Sequence, residues 1–219
     1  MKFIKFLPVI ICILISCKTQ NDPQRSRDVN SNQIIGGGCD GCEFMYVDMP
    51  EFIDHIGTSF GWQKTNSQNL LVNGNVYNND GKTPAENIII YYWHTDDEGL
   101  YTAKGVKNNH NHGDLRGWVK TDKKGQFQIY TSRPKPYPND VLPAHIHLSI
   151  KEPNLPNEYY AEDIVFDDDP LLNDYLKRYP PANRCGSGIV RTTLIKNIQT
   201  VHHNITLGLN IPNYPSSKN

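Results

Sequence analysis

The stretch Ala144-His145-Ile146-His147-Leu148-Ser149-Ile150-Lys151 decides the fold class. Ile146, Leu148 and Ile150 alternate with His145, His147 and Ser149, the period of two that belongs to a strand with one face toward a core. The same pattern recurs on either side. Upstream, Leu115–Thr121 and Gln126–Thr131 read as strands paired across Asp122-Lys123-Lys124-Gly125, a predicted hairpin. Asn87–Trp93 (NIIIYYW) is a β-branched and aromatic run expected to be buried on both faces. Leu70–Tyr77 is a strand interrupted by Gly74, followed by the turn signal Asn78-Asn79-Asp80-Gly81. Downstream, Tyr160–Phe166, Gly188–Ile195 and Thr200–Asn210 bring the count to seven or eight strands. Helix is expected over Pro170–Arg178, opened by its proline, with a short helical turn at Glu51–His55. Many short strands separated by turn signals predict an all-β, two-sheet sandwich.

Chemistry concentrates around the same stretch. Residues i and i+2 of a strand share a face, so His145 and His147 can reach one metal ion while Ile146 is buried on the other side. By itself His-x-His is a weak signal. His110-Asn111-His112 has the same spacing among Asn and Gly and reads as a solvated turn, and His202-His203 points to opposite faces. Two tyrosines strengthen the first pair. Pro136 and Pro138 fix the backbone on both sides of Tyr137, and Tyr101 follows a strand and the turn Asp96-Asp97-Glu98-Gly99. A phenolate supplies the anionic oxygen that hard ferric iron favours, with imidazole as borderline partner. A bound cation lowers the pKa of its ligands, and tyrosine otherwise titrates near about 10. Two phenolates and two imidazoles leave a net +1 on the iron. Trp93 and Phe127 read as core, and Asp167-Asp168-Asp169 as a solvated turn and helix-start charge.

In these residues the chain resembles the intradiol ring-cleavage dioxygenases. Five ordered elements carry the resemblance: Trp93 to Tyr101, Leu115-Arg116-Gly117, Thr121-Asp122-Lys123-Lys124-Gly125-Gln126-Phe127, the proline-flanked Tyr137, and Pro143-Ala144-His145-Ile146-His147. It implies a β-sandwich holding Fe(III) through Tyr101, Tyr137, His145 and His147. It also implies O2-dependent cleavage of a catecholic ring between its two hydroxylated carbons, with Tyr137 as the general base. Two positions depart from the family's pattern. Leu142 stands where an Arg three residues before the first His ligand stabilises substrate charge, and Asp163 stands near where a Gln is usual. Arg133, Arg116 and Arg184 are the cations that could serve the substrate pocket from another direction. The departures keep a second reading open, a non-catalytic β-sandwich binding module with a retained or repurposed metal site. A zinc or copper hydrolase or oxidase built on the histidines alone leaves the tyrosines unexplained.

The rest of the chain bounds the setting. Its 219 residues carry 22 Lys+Arg against 23 Asp+Glu, a balance that argues against nucleic acid as partner. Hydrophobic residues make up 37%, and a mean hydropathy of −0.57 excludes a polytopic membrane protein. Residues 1–16 read as a signal peptide, with Lys2 and Lys5 before an apolar run too short to span a bilayer. Leu14-Ile15-Ser16-Cys17 resembles a bacterial lipobox, so Cys17 is the expected lipidation site and the bacterial cell envelope the expected location. Residues 17–38 read as a flexible tether and 39–219 as the domain; oligomeric state is left open. Export places the fold where disulfides persist. Cys39, Cys42 and Cys185 are the candidates, paired either with each other in the Cys-x-x-Cys or with Cys185 across more than 140 residues. The long loop would contribute about 4–5 kcal/mol in the chain-entropy model.

Overall fold

The computed structural model describes residues 34–39, 41–60, 62, 67–103, 112–138 and 140–215. The predicted signal peptide and Cys17 lie outside the described residues, as do His110 and most of the predicted tether. The strands are β1 (Ile56–Thr58), β2 (Asn69–Tyr77), β3 (Ile89–His94), β4 (Arg116–Lys120), β5 (Gln126–Ser132), β6 (His145–Lys151), β7 (Tyr159–Tyr160), β8 (Ile164–Phe166), β9 (Ile189–Val190), β10 (Thr193–Ile195), β11 (Ile198–His202) and β12 (Ile205–Thr206). The single α-helix among the described residues, α1, spans Leu172–Arg178. One sheet runs β1-β5-β2-β11-β10 with β12 also on β2; the other runs β4-β3-β6-β8-β9 with β7 also on β6. The expected two-sheet sandwich is thus the architecture.

Alternation sets which side chains the sheets bury. In β2, Leu70, Val72 and Val76 point inward, against Ile90, Val119, Ile129, Ile146 and Ile150 from the other strands. Gly74 is the interruption in that row. A Cβ there would lie 1.8 Å from the His203 carbonyl oxygen, so the backbone entering β12 can pass only over a glycine. On β6, Ile146, Leu148 and Ile150 face the core while His145, His147 and Ser149 face outward. On β3, Tyr91 and Trp93 join Met45 in a second apolar cluster on that outer face, which is why the run is buried on both sides. A 3-10 turn, Cys42–Tyr46, covers this cluster. It is held by Trp118 Nε1–H donating to Met45 O at 2.7 Å and Arg116 donating to Val47 O at 3.2 Å.

Four expectations need correction. First, β4 and β5 are not a hairpin. Asp122 Oδ1 accepts from the Lys124 and Gln126 amides, both at 2.8 Å, and forms the tight turn. Beyond it β4 pairs with β3 and β5 with β2, so the turn carries the chain from one sheet to the other. Second, Glu51–His55 is not helical; the helical turn lies earlier, at Cys42–Tyr46. Third, the three downstream runs each break in two, and the first break, at Ala161–Asp163, delivers Asp163 to the site. Fourth, the domain begins before residue 39. Ile35 is buried, the Gly36 amide donates to Pro212 O at 2.7 Å, and Asn157 donates to Ile35 O at 2.9 Å. The described end of the predicted tether is therefore packed.

Of the two cysteine pairings, the structure has Cys39–Cys42, with Cys185 free and buried. Closing so short a loop contributes about 2 kcal/mol in the same entropy model. It fixes the Cys42–Tyr46 turn locally and does not staple the chain's ends together.

Candidate metal centre and substrate cavity

Two loops bring the tyrosines together. After β3, Asp96 Oδ1 accepts from the Glu98 and Leu100 amides at 2.9 and 3.1 Å, and the Thr102 hydroxyl donates to Oδ2 at 2.5 Å. Gly99 adopts φ +77, and a Cβ on it would stand 2.2 Å from Pro136 O. Only glycine lets the proline-flanked loop lie this close. Thr95 Oγ1 ties the two loops by donating to Lys135 O at 2.6 Å. As a result Tyr101 Oη and Tyr137 Oη sit 2.5 Å apart.

The histidines complete the set from β6. His147 Nε2 is 3.0 Å from Tyr101 Oη, 3.4 Å from Tyr137 Oη and 3.2 Å from His145 Nε2. Ligands about 2.0–2.1 Å from one ion stand roughly 3 Å apart from each other, so the four donor atoms fit a single cation. The tautomers fit too. His145 Nδ1 meets the Pro143 carbonyl at 2.7 Å, which can only accept, and His147 Nδ1 meets Asp163 Oδ1 at 2.8 Å. Both Nδ1 atoms are thus donors, leaving two Nε2 lone pairs facing each other, an arrangement that a cation between them satisfies. Burial, followed by the neighbouring His147, lowers the His145 pKa and favours the neutral form that binds metals. Burial raises the pKa of both tyrosines, most for Tyr101, so phenolates there require a cation's charge.

His145, His147 and Asp163 by themselves place one ligand atom each within 4.8 Å of the others, which invites a two-His, one-carboxylate reading. The geometry argues against it. Asp163 engages the Nδ1 edge of His147, opposite the Nε2 that faces the tyrosines, and accepts a hydrogen bond from the Tyr160 hydroxyl as well. Burial opposes its ionisation, but the His147 charge and hydrogen bond prevail and its pKa is lowered. Asp163 thus orients the His147 ring.

A cavity of about 450 Å³ opens beside the four donors. Its walls include Trp93, Tyr160 and His112, and Gly38, Cys39, Gly41 and Phe44 line it as well. One expectation is corrected here. His112 is not in a solvated turn: it is buried, its ring stacks on Trp93 at 4.2 Å, and its Nδ1 meets Tyr91 Oη at 2.9 Å. Trp93 and Phe127 are core as expected, and Trp93, in the outer cluster, also lines the cavity. The spacing of Tyr91 and Trp93 on the face of His147 was the signal available in the sequence. Nothing in the sequence pattern marks Tyr160, Cys39 or Gly41 as wall.

The candidate cations separate. Arg133 is spent elsewhere: it pairs with Asp168 at 2.5 Å and stacks over Phe166 at 4.1 Å, away from this cavity. Arg116 pairs with Asp48 at 3.3 Å. Arg184 alone of the three lines the cavity. Leu142 lines a separate 120 Å³ pocket with Tyr137, His145 and Asp163. Asp169 is not a solvated turn residue; it is buried, and its Oδ2 accepts from the Ala144 amide at 2.9 Å, fixing the start of the histidine strand.

A dioxygenase family model matches residues 48–211, a span that takes in all four donor residues. The chain belongs to the intradiol dioxygenase family. Chlorocatechol 1,2-dioxygenase from Pseudomonas putida is 29% identical over a stretch that covers 42% of each chain, so the match spans less than half of that relative. Among solved structures, the dioxygenase domain of a dioxygenase–carbohydrate-binding fusion from a cellulolytic Streptomyces superposes with a TM-score of 0.54 at 21% identity, covering 73% of this chain and 94% of that one. Catechol 1,2-dioxygenase from an Acinetobacter species gives a TM-score of 0.54 at 16% identity, with 79% and 66% covered. At such identities the structures speak for the shared sandwich alone.

Proposed function

We propose that this protein is a non-haem Fe(III) dioxygenase that opens catecholic rings between the two hydroxylated carbons, with both atoms of O2 entering a muconate-type diacid. The observation that carries the proposal is the convergence of Tyr101 Oη, Tyr137 Oη, His145 Nε2 and His147 Nε2, with both Nδ1 atoms tied back to protein acceptors. Ferric iron, when bound, supplies the Lewis acidity that ionises the catechol and draws electron density from its ring. Tyr137, ionised only where the cation's charge holds it as phenolate, would take on its Oη the proton that a catechol hydroxyl gives up, a general-base role; Tyr101 Oη lies 2.5 Å from it. Pro136 and Pro138 restrict how that phenol can swing. Trp93, Tyr160 and Phe44 supply apolar wall for the ring.

The test is optical. The iron-loaded protein should show a phenolate-to-ferric charge-transfer band, and Tyr101→Phe should bleach it; a colourless iron-loaded protein removes the proposal. A non-catalytic metal-binding module is the second reading, favoured by Leu142, which puts no charge beside His145 and Tyr137. Oxygen uptake with catechols separates the two. The lipobox supports export and anchoring through Cys17, and palmitate labelling that survives Cys17→Ser would refute that part.

A further inference from the structure

The cavity wall is chemically lopsided. Its diol end carries Tyr101, Tyr137 and His147, and Leu142, in the adjoining pocket, supplies no cation on that side. Among the described lining residues no carboxylate appears, and Arg184 is the one cationic side chain. Arg116, Arg133 and Arg191 each face an aspartate, at 3.3, 2.5 and 2.9 Å. Arg184 has no such partner among the described residues. One terminal nitrogen donates to Gly36 O at 2.8 Å, and its Nε–H is buried with no acceptor. The adjacent Glu162 carboxylate is taken by the Arg184 backbone amide at 3.0 Å. A half-buried guanidinium with no ion-pair partner among the described residues, in a wall whose other described lining residues carry no carboxylate, is suited to an anionic ligand.

Its position sets the ligand's length. The guanidinium carbon is 5.9 Å from the centroid of the Tyr160 ring, which lies 6.0 Å from the centroid of His147. Tyr160 thus neighbours both the cation and His147. A carboxylate directly on a catechol ring is held close to the diol, whereas one on a side chain of two or three carbons has the added reach to lie along Tyr160 toward Arg184.

We infer that the cavity is specific for catechols bearing a carboxylate on a short side chain, of the dihydroxyphenylpropanoate type, with Arg184 as the anchor for the acid. The inference rests on the proposed function, which assigns the diol to the tyrosine–histidine end.

Anaerobic calorimetry on the full, iron-loaded protein tests it, using catechol, dihydroxybenzoate and dihydroxyphenylpropanoate. In the wild type the propanoate should bind at least about tenfold more tightly than catechol, the order expected for a hydrogen bond between charged groups. Dihydroxybenzoate should gain less. Arg184→Met, which keeps the apolar stem, should abolish the propanoate-to-catechol ratio, and Arg184→Lys should restore part of it. The same ratio in the wild type should shrink as salt rises, a readout that stands even if the Met variant fails to fold. Equal affinity for catechol and the propanoate in the wild type, or a ratio that survives Arg184→Met, overturns the anchor and leaves ring cleavage standing. Absence of binding by all three diols overturns both.

Discussion

Removing Asp163 should loosen the metal without touching a ligand. His147 presents Nε2 to Tyr101 and Tyr137 only while its Nδ1 proton rests on Asp163 Oδ1, 2.8 Å away. A hydrogen bond with an ionised partner is worth about 1.5–3 kcal/mol. Asp163→Ala should therefore weaken Fe(III) binding by about 10- to 100-fold, the usual cost of losing a carboxylate behind a metal-bound imidazole. Asp163→Asn keeps an acceptor but loses the charge. Charge-assisted bonds being about twice as strong as neutral ones, its loss should be roughly 3- to 10-fold. Tyr160 Oη also approaches His147 Nδ1, at 2.7 Å, and donates to Asp163. Tyr160→Phe thus removes a supporting contact while sparing the carboxylate, and its loss should be smaller than that of Asp163→Ala. The assay is competition for Fe(III) against a chelator of known affinity, followed by the phenolate band. Wild-type affinity in Asp163→Ala would refute the orientation argument. A loss equal to that of His147→Ala would point instead to Asp163 as a direct ligand.

Other consequences are open to measurement. His94 and His203 are buried, and burial pushes both pKa values down from 6.5 to about 4. Both are neutral in the fold, and the unfolded chain takes up their protons near pH 6.5. Stability should therefore be full above pH 6.5 and fall as the pH drops toward 4, by about 3 kcal/mol for each histidine. Urea midpoints between pH 7 and 4.5 check this; a flat profile, or an unchanged slope in His203→Asn, contradicts it. Ile146 is buried in the core directly behind the two ligands, so Ile146→Ala should cost about 2–5 kcal/mol of folding stability in the same urea titration. A loss under about 1 kcal/mol would be too small for a core site. Leu142→Arg adds a guanidinium beside His145 and Tyr137. It should raise catechol turnover by about tenfold or more, since one such charge-stabilising group can be worth about 100- to 1,000-fold; a steady-state assay showing no gain would mean that position 142 does not face the reacting ring.

Much of this molecule is legible in the chain itself. Alternation in β2 and β6 is set by which face meets the core, and the ligand pair His145 and His147 follows from that same period. Tyr101 and Tyr137 are legible because glycine and proline mark the turns that hold them. The pairing of β4 and β5 is not legible, because a tight turn looks alike whether its strands join one sheet or two. His112 reads as loop because the residues that bury it, Trp93 and Phe44, are distant in sequence. The role of Asp163 depends on a break between β7 and β8 that leaves no local signature. Arg133 and Arg184 look equivalent in sequence, and only their partners, Asp168 for one and an open cavity wall for the other, tell them apart.

The central claim is that the four donors build a centre that opens a catechol between its hydroxylated carbons. Mass spectrometry of the product formed by the iron-loaded protein from catechol under isotopically labelled dioxygen tests it most directly. The expected product is a muconate-type diacid carrying both labelled oxygen atoms, absent with Tyr101→Phe. Unchanged catechol, or a ring opened beside rather than between the hydroxylated carbons, would contradict it.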